Sequence, residues 1–76
     1  MEHKRLRRSK VAEAVRGEIA KQGVSRVQLA AAIGLSTDAL RRRLKGDKPF
    51  YVDELVDICH ALNIPVSVML DRAGIK

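Results

Sequence analysis

At 76 residues, 46% hydrophobic but only 3% aromatic, the chain has material for one domain with an aliphatic core and none for a second. One cysteine excludes an internal disulfide, and with no long apolar run or signal-peptide pattern a reducing cytoplasm is the expected setting. The net charge of +6 is uneven, since residues 1–48 hold 13 Lys and Arg against 5 Asp and Glu whereas residues 49–76 hold 2 against 4. Such a basic half fits either a polyanionic partner or a merely solvated face.

Residues 1–8 alternate charge with little apolar content and read as a flexible basic arm carrying Lys4, Arg5, Arg7 and Arg8. The arm is either an ordinary disordered terminus or one that follows a nucleic-acid backbone. A single domain is expected over 9–76. From Ser9 or Lys10 to Gln22, Val11, Ala14, Val15 and Ile19 recur at spacings of three and four, which predicts one buried helical stripe ended by Gly23. Ser25 and Gln28 have capping-box spacing, so a second helix should run from Arg26 to Ile33. Gly34 ends it, and Ser36 caps a third helix from Thr37 to Lys45 with Leu40 and Leu44 inward and Gly46 as terminator. Arg41, Arg42 and Arg43 cannot share a face there, because successive residues are about 100° apart. Asp47-Lys48-Pro49-Phe50 turns into a fourth helix over about 52–62, with Leu55, Val56, Ile58, Cys59 and Leu62 inward and Phe50 plugging the core. Tyr51 cannot cap that helix as Ser or Thr would, so its onset must lean on Asp53 and Glu54 at the positive end of the dipole. Pro65 opens a fifth helix that stops before Gly74 and buries Val66, Met69, Leu70 and Ala73.

The ordered set Gln28, Leu29-Ala30, Gly34, Ser36, Leu40, Gly46, Pro49, Asp53-Glu54-Leu55 and Ala61-Leu62-Asn63-Ile64-Pro65 resembles the Cro and phage-repressor-like helix-turn-helix proteins, the XRE family. The likeness runs from about Val11 to Leu70, and the Leu40-to-Gly46 ending followed by Pro49-Phe50 is the variant common among actinobacterial regulators and their phages. It implies an all-α, compact five-helix lambda-repressor-like DNA-binding domain with its helix-turn-helix at helices 2 and 3. It also implies two-fold dimers on inverted half-sites, although no dedicated dimerisation segment stands out.

In this motif the N-terminal residues of the second helix meet base edges in the major groove, which makes Thr37, Asp38, Arg41 and Arg42 the base-reading candidates. Arginine can bond two guanine acceptors, aspartate can accept from cytosine, and threonine can touch a thymine methyl. Asp38 has a second reading as a helix-start residue that repels phosphate and orients an arginine. Gln28 resembles the family's phosphate-bonding glutamine, and Ser36, Arg43, Lys45 and Lys48 complete the phosphate candidates, although many family members are apolar where Arg43 stands. Ile64, Val68 and Ile75 lack an obvious home and form a candidate dimer surface, or are simply exposed aliphatics.

Two separated histidines, one cysteine and no glycine-rich loop give no expected metal, cofactor or enzyme chemistry. The acids Glu13 and Glu18 are read as sitting singly on helix surfaces, and Cys59 as a buried structural thiol. The expected function is a transcription regulator, a Cro-like repressor that binds double-stranded DNA in the nucleoid, as a monomer or a weak homodimer formed on DNA. No membrane or small-molecule ligand is expected. The alternatives are a protein-binding module of antitoxin or adaptor type and a recombination accessory protein.

Overall fold

The apolar stripes read from the sequence close on one shared core. In a computed structural model that describes residues 8–74, the helices are α1 (Arg8–Gln22), α2 (Arg26–Ala32), α3 (Thr37–Lys45), α4 (Val52–Ala61) and α5 (Val66–Arg72). Among the described residues there is no strand. Helix α1 starts one residue before the expected Ser9, so Arg8 belongs to it; Lys4, Arg5, Arg7 and Ile75 lie outside the described residues. Helix α1 packs on α3 and α5, α2 on α3 and α4, and α4 on α5. The Cα radius of gyration of 11.5 Å is that of a single globule of this length.

Val11, Val15 and Ile19 of α1 are buried as the periodicity requires, with Ala12 buried beside them and Ala14 half-buried. They meet Leu29, Ala30, Leu40, Leu44, Phe50, Leu55, Ile58, Cys59, Leu62, Met69 and Ala73. Val56, Val66 and Leu70, expected inward, are half-buried at the margin. Burying a leucine contributes about 1.5–3 kcal/mol, whereas an exposed ion pair contributes about 0–1 kcal/mol. Leu40 and Leu44, at 0% and 1% exposure, therefore fix the rotation of α3, and the charges on its outer face follow from that.

The helix-turn-helix corner is closed by backbone hydrogen bonds. Leu35 N–H reaches Ala30 O at 2.9 Å and Gly34 N–H reaches Ala31 O at 3.3 Å, which turns the chain through Gly34 at φ +74° and folds Leu35 back onto the core. The same pair of bonds ends α4 at Asn63 (φ +55°), where Ile64 N–H reaches Cys59 O. That return packs half-buried Ile64 against the core, a partner within the chain that the sequence does not show.

Glu18 is a second correction. Rather than sitting on the surface it is 5% exposed and accepts Gln22 Nε2 at 2.6 Å and the Arg72 guanidinium, while Gln22 also donates to Leu62 O at 2.8 Å. The Gln22 hydrogen bond first, and then Arg72, hold its carboxyl below the usual glutamate range.

Two glycines should respond oppositely to alanine. At Gly34 a Cβ meets nothing but the backbone is left-handed, so Gly34→Ala should lose about 1–2 kcal/mol in urea unfolding. At Gly17, inside α1 and also in open space, Gly17→Ala should gain about 0.5–1 kcal/mol. Equal signs for the two would show that backbone conformation is not what separates them. Because the Glu18 pKa is lowered, its stabilisation is complete above the ordinary glutamate value and is lost as pH falls through the lowered one. Melting temperature against pH should accordingly lose part of its acid-side slope in Glu18→Gln.

Candidate nucleic-acid interface

Ser36 stands at the N-cap of α3 in extended conformation, and its Oγ accepts the Ala39 N–H at 3.0 Å. This cap and the inward Leu40 and Leu44 leave Thr37, Asp38, Arg41, Arg42 and Lys45 on the exposed face. The charges there are already paired with one another. Asp38 Oδ1 accepts Arg41 Nε at 3.2 Å and Nη2 at 2.5 Å, and Oδ2 lies 3.0 Å from Arg42 Nε. The hydrogen bond from Arg41 is the main reason the Asp38 carboxyl sits below its ordinary range, with Arg42 adding to it. Lys45 Nζ lies 3.6 Å from Asp47 Oδ2, with both side chains more than half exposed.

Between α3 and the turn that follows it runs an open groove of about 310 Å³, lined by Ser36, Asp38, Ala39, Arg42, Arg43, Lys48 and Tyr51. It brings together two of the predicted base readers, Asp38 and Arg42, and three of the predicted phosphate residues, Ser36, Arg43 and Lys48. Gln28 is exposed in the first turn of α2, where its own backbone N–H is occupied by the Ser25 Oγ at 3.3 Å.

Arg43, although it lines this groove, has its donors engaged within the fold. Its Nε and Nη2 reach the two Glu54 oxygens at 2.8 and 3.1 Å, and its Nη1 donates to Ala39 O at 3.1 Å. Only 14% of the side chain is exposed. With a fork of donors already satisfied, this guanidinium holds α3 to α4 instead of facing a ligand. The ring of Tyr51, which sequence reasoning did not place in the site, lies 5.9 Å from its Cζ. A tyrosine at an N-cap, where it cannot cap as Ser or Thr would, is the signal the sequence offers.

Glu54 also settles how α4 begins. Tyr51 gives no side-chain cap, and its N–H donates to Glu54 Oε1 at 3.0 Å, so the onset rests on a hydrogen bond and not on helix-dipole attraction alone. At the far end of α3, Arg16 of α1 donates to Leu44 O, one of the carbonyls a helix end leaves unsatisfied. On α5, Val68 is 37% exposed and is the one member of the expected dimer patch that the described residues leave outward. Replacing Glu54 by Ala strands the Arg43 guanidinium and uncaps α4, so unfolding should be easier by about 2–4 kcal/mol. A loss below about 0.5 kcal/mol in urea unfolding would mean that water replaces the carboxylate without penalty.

Among the described residues no group of three or more His, Cys, Asp and Glu could hold a metal ion, and no helix is long and apolar enough to cross a membrane. No curated protein matches the sequence. Among solved structures the chain is similar to the clp gene regulator ClgR from Corynebacterium glutamicum, with 31% identity over 92% of this chain and 91% of that one and a TM-score of 0.84. A second structure of ClgR from the same organism gives 31% identity over 92% of this chain and 74% of that one, with a TM-score of 0.86. The model of the BetR domain matches residues 7–76, so the resemblance to helix-turn-helix regulators stands at the level of the fold and the chain belongs to the BetR domain family.

Proposed function

We propose that this protein is a sequence-specific, double-stranded-DNA-binding transcription regulator that places α3 in the major groove. The observation that carries the reading is the outer face of α3, where Thr37, Asp38, Arg41 and Arg42 are exposed together at the N-terminal end while Leu40 and Leu44 anchor the helix from behind. A major groove admits a helix in this attitude, and its base edges present acceptors that match arginine. The basic first half of the chain supports it, as does the similarity over nearly the whole length to a protein described as a gene regulator.

In this reading Arg41 and Arg42 read bases with Thr37 beside them, and Ser36, Gln28, Lys45 and Lys48 contact phosphate. Arg43 is a positioning residue that sets the attitude of α3. Repression follows from occupying promoter DNA, which requires no further domain, and pairing of two copies on DNA would use the exposed Val68 side of α5.

The test is a salt series of binding to a duplex enriched from random sequence by the protein itself and to a scrambled duplex of equal composition. Arg41→Ala should cost about 1–3 kcal/mol mainly on the enriched duplex. Lys48→Ala should weaken both duplexes and lower the salt slope by about one. Equal wild-type binding to the two duplexes, at every salt concentration, would sink the proposal.

A further inference from the structure

Resting on that reading of α3, we infer that Asp38 determines specificity by restraining Arg41 and Arg42, withholding them from phosphate on unmatched DNA while leaving them able to read bases. It is the only acid in α3, and it faces the same side as the two arginines that the proposed function places against the bases. One carboxylate engages both, with Oδ1 on Arg41 and Oδ2 on Arg42, at helix spacings of three and four. The third arginine of the run is held by Glu54 and contributes nothing to this exchange.

Non-specific affinity for DNA grows with the number of cations delivered to phosphates, because each releases counterions. The trio of Asp38, Arg41 and Arg42 delivers a net charge of one instead of two, and an arginine that turns to a phosphate must either abandon the carboxylate or carry its negative charge towards that phosphate. That penalty falls on any sequence read through phosphates alone. A matched site avoids it. Each guanidinium has five N–H donors, and the pairing with Asp38 uses two of those on Arg41 and one on Arg42, which leaves donors for the N7 and O6 of a guanine while the pair stays intact. The side chains of all three residues are about half exposed, at 55%, 51% and 53%, so the pairs are screened by solvent and open to exchange on binding.

The experiment measures binding of the full chain to the enriched and the scrambled duplex over a salt series, for wild type, Asp38→Asn and Asp38→Glu, with folding checked by circular dichroism. Asp38→Asn should bind the scrambled duplex about three- to thirty-fold tighter, with a salt slope steeper by about one. Its affinity for the enriched duplex should rise much less, so the ratio between the two falls. Asp38→Glu keeps the charge within reach of both arginines and should retain most of the wild-type ratio. A similar gain on both duplexes would overturn the inference in favour of plain repulsion of DNA. Loss of affinity confined to the enriched duplex would overturn it in favour of a direct contact from Asp38 to a base. A wild type without preference for the enriched duplex would overturn the proposed function itself and this inference with it.

Discussion

The Glu54 carboxylate is the constraint on which the attitude of α3 depends. Its two oxygens take the forked guanidinium of Arg43, and one of them also accepts the Tyr51 N–H that opens α4. The end of one helix and the start of the next are therefore defined by the same group. Apolar burial cannot do this unaided. Leu40 and Leu44 hold α3 against the core, but dispersion and area burial are non-directional and leave a helix free to slide along its axis or tilt. A bidentate pair at 2.8 and 3.1 Å has direction, and it is nearly dry on the Arg43 side. The core supplies the free energy of folding, and this pair selects one arrangement among the packings that the core would accept.

Three consecutive arginines illustrate how helix geometry divides one chemical type into different tasks. Separated by about 100° each, Arg41 and Arg42 emerge on the exposed face and Arg43 turns inward. The exposed pair meets Asp38, the inward one meets Glu54, and the remaining cation of the helix, Lys45, meets Asp47. The basic surface of the free protein is consequently less available than its formal charge suggests. A phosphate brought to this face would compete with the carboxylates for the arginine donors, whereas a base could use the donors that the carboxylates leave free.

The parts of this fold legible in the sequence are those governed by neighbours within about five residues. Ser25, Ser36, Gly34 and Gly46 punctuate the chain through caps and left-handed turns, and the stripes of α1, α3 and α4 have helical period, so the helix boundaries fall within a residue or two of expectation. Polar partners far apart in sequence were not legible. Glu18 meets Arg72 across 54 positions and Arg43 meets Glu54 across 11, and no local pattern distinguishes such acids from solvated ones. A cation at a place usually apolar did mark Arg43 as unusual, but the sequence offers Asp47, Asp53 and Glu54 as nearby acids, and only the fold, which sets Glu54 beside Arg43, selects among them. The packing of half-buried Ile64 against the core is illegible for a related reason: it depends on the left-handed turn at Asn63, a residue less predictable there than glycine.

Helix α1 ties the other elements of this small domain together. Arg16 and Glu18 lie two positions apart, about 200° around the helix, and they engage different elements: Arg16 takes the C-terminal carbonyl of Leu44 in α3, and Glu18 takes Arg72 at the end of α5. This matches the packing of α1 against both helices. Gln22, one turn beyond Glu18, ties the same helix to the C-cap of α4 through Leu62 O. The Glu18 pair, shielded from water on its acidic side, thus holds α5 to the same helix that Arg16 ties to α3. With few residues available for a core, the fold uses one long helix as a frame and attaches α3 and α5 to its two sides through directional bonds.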